Sequence, residues 1–292
     1  MADQAITLGA LLAAARERLK QARIPDAALD ARLLVEHFTE TTQADAIARP
    51  EQLIEAGRRD AVEKALEQRL EGKPVHRIIG RRAFYGLELT LSPETLEPRP
   101  DTEALVDLVL EYARRDNGDD RPWRLLDLGT GTGAVALALL SVLPNAQAVG
   151  VDVSADALAT AASNADINGY GSRFTACRSD WFAGVEGRFD FIVSNPPYIR
   201  DGDWPGLSRE VRAFDPRIAL VAGPDGLDAY RAIAAGVALH LASGGMVAVE
   251  IGFDQKDMVS EVFAANGFDL ADAVRDLAGH DRALIFRTKT AR

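Results

Sequence analysis

The spacing of apolar residues changes period once along this chain, from helical to strand-like. Leu8, Leu11, Leu12, Ala15 and Leu19 recur every three or four positions behind Thr7, a residue that can cap a helix. Leu29, Leu33, Leu34 and Phe38 predict a second helix capped by Asp26. Leu53, Ile54, Val62, Leu66 and Leu70 predict a third, opened by Pro50 and ended at Gly72-Lys73-Pro74. Residues 1–75 are therefore expected to form a small helical bundle that serves as a docking or lid domain. Over 78–96, Phe84, Tyr85, Leu87, Leu89 and Leu91 stand among Gly80, Gly86 and Ser92-Pro93, which predicts a hairpin in a linker of residues 76–100. Asp101 or Thr102 can cap the helix after it, whose apolar face is Leu105, Val106, Val109 and Leu110.

From Trp123 onward short apolar strands alternate with helices. Strands are expected over 124–128, 148–153, 174–179, 189–194 and 245–251. Helices are expected over 135–143, 155–168, 226–241 and 255–266. Such alternation predicts an α/β domain over 101–292, a mostly parallel sheet covered on both faces. Strands over 268–274 and 283–287 would close it as an antiparallel hairpin. That ending marks the class I S-adenosylmethionine-dependent methyltransferase version of the Rossmann-like fold.

Composition narrows the partners more than the fold. Of 292 residues, 47% are hydrophobic and 26% charged, which suits a folded globular chain. The formal net charge of -11 argues against general affinity for a phosphate backbone, so direct nucleic-acid binding is not expected. The single cysteine, Cys177, leaves no partner for an internal disulfide and suits a reducing compartment. The run Ile6 to Ala15 lacks a basic segment before it and meets Arg16, Glu17 and Arg18 at once, unlike a signal peptide. No stretch is long enough to span a membrane, and the expected location is cytoplasmic. The four histidines, His37, His76, His240 and His280, show no metal spacing, and no metal is expected. There is no P-loop, HExxH or GxSxG, so hydrolase and phosphotransferase chemistry lack support.

Two motifs carry candidate chemistry. The first predicted strand of the α/β unit runs into Asp127-Leu-Gly129-Thr130-Gly131-Thr132-Gly133 and then a helix. Glycines there let the backbone turn tightly and approach a ligand at a helix N-terminus. The spacing is GxGxG rather than the dinucleotide GxGxxG, which favours the amino-acid end of S-adenosylmethionine over pyrophosphate. Asp152 ends the second strand, about 20 residues on, where a carboxylate accepts hydrogen bonds from ribose hydroxyls; it could instead cap the following helix. Asp180-Trp181 ends the third, offering a polar group and a ring to adenine. The fourth strand stops at Asn195-Pro196-Pro197-Tyr198, because two prolines cannot continue the ladder. The Asn195 side chain and the Pro196 carbonyl could each accept one N–H of a planar, conjugated NH2 group, favouring its pyramidal, more nucleophilic form, with Tyr198 stacked on its flat face. A strand-ending turn with a core tyrosine would read the same way. It is the order of the four motifs on successive strand ends that points to methyl transfer.

At this point the chain resembles the protein glutamine N5-methyltransferases of the HemK/PrmC type, which modify peptide chain release factors. The likeness covers nearly the whole chain. Besides the two motifs it includes Gly72-Lys-Pro74 with Ile78 and Gly80, Phe84-Tyr-Gly86, and Pro98-Arg99-Pro100-Asp101-Thr102-Glu103. Further on come Asp215-Pro216-Arg217-Ile-Ala-Leu220, Gly223-Pro-Asp-Gly226-Leu227 with Tyr230, and Val249-Glu250-Ile-Gly252 with Gln255. Arg77 stands where an aromatic residue is common and Glu97 replaces an aliphatic one; both lie at the domain junction and bear on partner contacts. The resemblance implies a glutamine side chain in the Gly-Gly-Gln loop of class I release factors as methyl acceptor. Asn195, Pro196, Pro197 and Tyr198 would then bind it, and Asn195 would also border the cofactor held by Gly129, Thr130, Gly131, Thr132, Gly133, Asp152, Asp180 and Trp181. The helical domain would grip the release factor, and Arg99 and Glu103 would shape the pocket or simply cap and pair. A ribosomal-protein glutamine, an adenine N6 in nucleic acid, and a noncatalytic cofactor-binding module remain the competing readings.

Overall fold

A computed structural model of the protein describes residues 6–116 and 121–289. The first five, four internal and last three positions of the expected domains thus lie outside the described residues. The chain divides into two compact units between Gly80 and Arg81.

The smaller unit contains α1 (Leu8–Gln21), α2 (Ala27–Thr39), α3 (Gln43–Ala48), α4 (Ala56–Leu70) and α5 (Val75–Ile79). A short antiparallel pair, β1 (Ile6–Thr7) and β2 (Leu53–Ile54), joins them. Its core is Leu8, Leu11, Leu19, Leu34, Val62 and Leu66, all essentially buried. Thr7 caps α1 as expected, its hydroxyl accepting the Ala10 N–H at 3.3 Å. Pro50 does not open a helix. Pro50 lies in a turn closed by Gln52 N–H on the Arg49 carbonyl at 3.0 Å, and the carbonyls of Pro50 and Gln52 accept the N–H groups of Gly9 and Leu8, both at 2.8 Å, so this turn satisfies free N-terminal donors of α1. The helix begins only at Ala56. Asp26 makes no side-chain cap bond, and the buried face of α2 is Ala31, Leu34 and Val35 while Leu29 is exposed. Asp30 shares that face, its carboxylate meeting Arg69 of α4 at 2.6 Å with both side chains nearly buried. Helix α3 escaped the apolar pattern because it buries no residue; its signal is the reciprocal box of Thr42 and Asp45.

The larger unit opens with a hairpin, β3 (Arg81–Phe84) and β4 (Leu87–Thr90). Its two-residue turn, Tyr85-Gly86, has φ of 49° and 77°, matching the twist of the strands. There follow α6 (Glu103–Asp116), β5 (Arg124–Leu128), α7 (Ala134–Val142), β6 (Gln147–Asp152), α8 (Ala155–Ile167), β7 (Phe174–Arg178) and β8 (Phe189–Ser194). Then come α9 (Arg209–Phe214), α10 (Asp228–His240), β9 (Leu241–Glu250), α11 (Lys256–Ala265), β10 (Phe268–Arg275) and β11 (Asp281–Thr288). The seven strands lie in the order β10-β11-β9-β8-β5-β6-β7, and β11 alone runs against its neighbours. The mostly parallel sheet with a closing antiparallel hairpin is therefore the fold this chain adopts.

Alternation along the strands explains why they read as continuous apolar runs. Leu125, Phe191, Val193, Ala248 and Ile285 face one core with α6, α7 and α8. Leu126, Ile192, Val247, Val249, Leu284 and Phe286 face the other with α10 and α11. Between β6 and β8, strand β5 marks the point where the order of succession reverses. A crevice opens there at the carboxyl ends of the strands.

Candidate active site

The turn after β5 is shaped by backbone conformation and two carboxylates. Gly129, Gly131 and Gly133 all take positive φ, 71°, 54° and 82°, which side chains with a Cβ rarely adopt. Asp127, 2% exposed, accepts the Thr130 hydroxyl at 2.7 Å and the Ala136 N–H at 3.3 Å. Burial pushes its carboxyl up to about 6 although both bonds pull it down. At the end of β6, Asp152 accepts Gly131 N–H on one oxygen and Ser154 N–H on the other, each at 3.0 Å. The helix cap is Ser154, whose Oγ accepts Ala157 N–H at 3.1 Å. Asp152 is therefore not spent on capping, and its remaining lone pairs can accept two more donors.

After β7, Asp180 is exposed and Trp181 holds φ at 48°, an uncommon conformation for so bulky a residue. After β8 the Asn195-Pro-Pro-Tyr198 loop is fastened from several directions. Ser194 Oγ donates to the Leu128 carbonyl at 2.6 Å. Asn195 Nδ2 donates to Thr102 Oγ1 at 3.1 Å. Tyr198 N–H donates to the Leu220 carbonyl at 3.1 Å, and Gln255 Nε2 donates to the Tyr198 carbonyl at 3.0 Å. Gln255 also takes Gly252 N–H on Oε1 at 3.0 Å. Gly226 lies so close that a Cβ there would stand 2.4 Å from the Tyr198 carbonyl oxygen. The Gly-Pro-Asp-Gly-Leu and Glu-Ile-Gly segments, which had no chemistry of their own in the sequence, thus form the back of this loop.

One cavity of about 720 Å³ joins both regions, a size suited to a ligand of nucleoside dimensions. Among the predicted residues, Gly129, Thr130, Gly131, Thr132, Asp152, Asp180, Trp181, Asn195 and Pro197 line it. Gly133, Pro196 and Tyr198 are not among its lining residues. Gly133 stands at the N-cap of α7. Pro196 is buried, and Tyr198 is half-buried against the core beneath β9, where burial pushes its hydroxyl up to about 12. Arg99 lines the cavity and pairs with Asp215 at 2.8 Å. Glu103 does not line it; its carboxylate takes the Tyr85 N–H at 3.0 Å and ties down the hairpin turn. Glu97, expected to bear on partner contacts, lines the cavity and pairs with Arg82 at 3.1 Å. Sequence reasoning assigned no site role to the wall made by Pro216, Ile218, Val221, Ala222 and Ala229: Pro216 and Ile218 lie in a segment that carries the family resemblance, but these residues bear no reactive group and reach the site only through the fold.

The donor set fits S-adenosylmethionine. A glycine cradle presents backbone groups without side chains, two carboxylates stand where hydroxyl and amino donors would lie, and a tryptophan ring borders the space. These are also the groups that a sulfonium with an attached nucleoside needs.

Comparison with known proteins agrees with this geometry. The PrmC N-terminal domain matches residues 10–80, and the methyltransferase small domain matches residues 110–206. The release factor glutamine methyltransferase of Agrobacterium fabrum is 51% identical over 281 residues, 96% of this chain and 97% of that protein. The enzyme of the same name from Caulobacter vibrioides is 38% identical over 281 residues, 96% of each. In fold alone, the chain is similar to a ribosomal protein L11 methylase from Lactobacillus delbrueckii subsp. bulgaricus. That likeness has a TM-score of 0.50 and 23% identity, over 68% of this chain and 84% of that one. The near-complete coverage at high identity, on a sheet and cavity of the matching kind, shows that this chain belongs to the release factor glutamine methyltransferase family.

Proposed function

We propose that this protein transfers a methyl group from S-adenosylmethionine to the side-chain amide nitrogen of the glutamine in the Gly-Gly-Gln loop of class I peptide chain release factors. The observation that carries the reading is the single cavity lined both by the glycine turn and by Asn195 with Pro197. When bound, S-adenosylmethionine supplies an electrophilic methyl group on a sulfonium with a neutral leaving group. Gly129 to Gly133 would hold its amino-acid end, Asp152 its ribose, and Asp180 with Trp181 its adenine.

The chain's own work is on the acceptor. A carboxamide nitrogen is a weak nucleophile because its lone pair is delocalised into the carbonyl. Asn195 Oδ1 and the Pro196 carbonyl would each accept one of its N–H groups, fixing the nitrogen and favouring the pyramidal form in which the lone pair is exposed. Consecutive prolines hold those two acceptors at a fixed spacing. Tyr198 would pack beside the acceptor and close the loop around it. The N-terminal helical unit would dock the release factor away from its Gly-Gly-Gln loop, and the reaction belongs in the cytoplasm, where the factor works.

Labelled S-adenosylmethionine, incubated with the protein and a purified, unmethylated class I release factor, tests this reading. Label on the factor and none on its Gln→Ala variant supports it. Label on both, or on neither while the cofactor binds, defeats it and turns attention to ribosomal proteins and then nucleic acid.

A further inference from the structure

The side-chain amide of Asn195 has a donor end and an acceptor end of nearly the same shape, and only Oδ1 can receive an N–H from an acceptor amide. Something other than the Asn-Pro-Pro-Tyr motif has to choose between the two orientations. Nδ2 donates to Thr102 Oγ1 at 3.1 Å. Thr102 is 3% exposed, and its hydroxyl pulls down the carboxyl of Glu250 at the end of β9, the effect of a donor turned towards that carboxylate. A hydroxyl carries one proton. Once that proton is given to a carboxylate, Oγ1 can only accept, so the amide facing it must present NH2 and leave Oδ1 on the other side.

We propose that Thr102 and Glu250 are positioning residues that fix the Asn195 amide with Oδ1 turned towards the methyl acceptor. This rests on the reading in which Asn195 holds the acceptor amide. Neither residue's role follows from its own motif, since Thr102 reads as a helix cap and Glu250 as part of the buried strand expected over 245–251.

Two further features of Glu250 point the same way. It is 2% exposed, and its Oε2 has no hydrogen-bond partner among the described residues. An orphaned buried oxygen is unfavourable and persists where a carboxylate is needed for another purpose. Burial pushes its carboxyl up to about 7, while the Thr102 hydroxyl and the Arg282 guanidinium pull it down. Facing it are Arg99 and Asp101 beside Thr102, Arg282 on β11, Tyr198 after β8 and Tyr230 on α10. Arg282 is shared with Asp276 at 2.8 Å, and Asp276 is held below the usual carboxylate range by it. Tyr230 donates to the backbone carbonyl of Glu250 at 2.9 Å and not to its carboxyl. Burial raises both tyrosine hydroxyls, so they stay neutral around pH 7. A protonated Glu250 can donate to Oγ1, which frees the Thr102 proton to meet Asn195 Oδ1 with the amide turned over. The chain of bonds is directed when Glu250 is ionised and undirected when it is protonated.

The test is methyl transfer to an unmethylated class I release factor at saturating cofactor, between about pH 6 and 9, with cofactor affinity titrated separately. The proteins are wild type, Thr102→Val, Thr102→Ser and Glu250→Gln. Thr102→Val keeps the shape and loses the hydroxyl; kcat is expected to fall roughly tenfold or more with cofactor affinity unchanged, and Thr102→Ser to restore it. Wild-type kcat should drop as pH falls below about 7, and Glu250→Gln should lack that step. A wild-type kcat in Thr102→Val, or the same pH step in Glu250→Gln, overturns the proposal. If Glu250→Gln does not fold, the Thr102 pair decides alone. Full activity in Asn195→Ala would instead remove the reading beneath the proposal, a result distinct from silence of Thr102→Val.

Discussion

The glycine turn after β5 and the Asn-Pro-Pro-Tyr loop after β8 line the same cavity yet are held in opposite ways. The turn is nearly self-sufficient: its φ angles are set by its own glycines, and Asp127 supports it from three and nine residues away. From β6 it is met at Gly131 N–H by Asp152 and at Thr130 N–H by the Val151 carbonyl, both 21 residues on, and from α8 Asn164 donates to the Thr132 carbonyl at 2.9 Å. The acceptor loop is held from afar. Asn195 is tied to a residue 93 positions earlier and Tyr198 to one 57 positions later. Cofactor binding should therefore depend on local residues, and acceptor chemistry on tertiary ties that can be cut without touching the motif.

Outside the acceptor asparagine itself, the largest effect is expected at Asp152. Asp152→Ala removes the carboxylate proposed to accept from the ribose and also the partner of Gly131 N–H, so cofactor affinity should fall roughly 100-fold by direct titration, since hydrogen bonds to a charged group are each worth about 1.5–3 kcal/mol. Unchanged affinity would take Asp152 out of the ribose site. Gly226→Ala sharpens the other side of the comparison. Its Cβ would collide with the Tyr198 carbonyl in a residue whose φ is 74°. Methyl transfer should fall roughly tenfold with cofactor affinity within about twofold of wild type, and stability should drop by about 1–3 kcal/mol. Equal losses in cofactor affinity and transfer would show that the two halves are not separable.

Comparable in stability but pH-dependent, and without a loss of cofactor binding, is the effect of Glu250. Its carboxyl rises from an ordinary 4.5 to about 7 on folding, so the folded state binds the proton more tightly. The stabilising contribution is fully present below about pH 4.5 and is lost as pH rises through about 7. Glu250→Gln should thus melt higher than wild type at pH 8 by an amount on the order of 3 kcal/mol, with the gap closing towards pH 5. A gap independent of pH would mean that Glu250 ionises without penalty. The smallest effect is expected from Arg99→Ala: its guanidinium is half-exposed, Asp215 beneath it is nearly buried, and the loss of the pair should lower stability by about 1 kcal/mol.

The same contrast governs what the sequence could disclose. Strand ends, the glycine turn, Asp152 and Asn195 were legible because each is announced by local chemistry: a period of apolar residues, a backbone that needs glycine, a pair of prolines. The wall of Pro216, Ile218 and Val221 was not: most of it stood out only through the family resemblance, and its apolar residues carry no chemistry that assigns them to the cavity before the fold brings them there. Thr102 was visible only as a helix cap, and its place beside Asn195 depends on where α6 begins relative to β8. In the N-terminal unit Pro50 misled because a proline suits the first turn of a helix as well as the tight turn that it occupies. Leu29 misled because the inward face of α2 runs through Ala31, Leu34 and Val35, with Leu33 and Phe38 at its border, and leaves Leu29 outside it.

The most direct test of a site built from two separable halves is single-turnover methyl transfer by Asn195→Ala, with S-adenosylmethionine saturating and its dissociation constant measured on the same sample. The account predicts a dissociation constant within about twofold of wild type and a rate lower by roughly 100-fold or more, because the oriented acceptor carbonyl acts on the reaction and not on the cofactor. A wild-type rate, or a rate lost only in proportion to lost cofactor affinity, would contradict it.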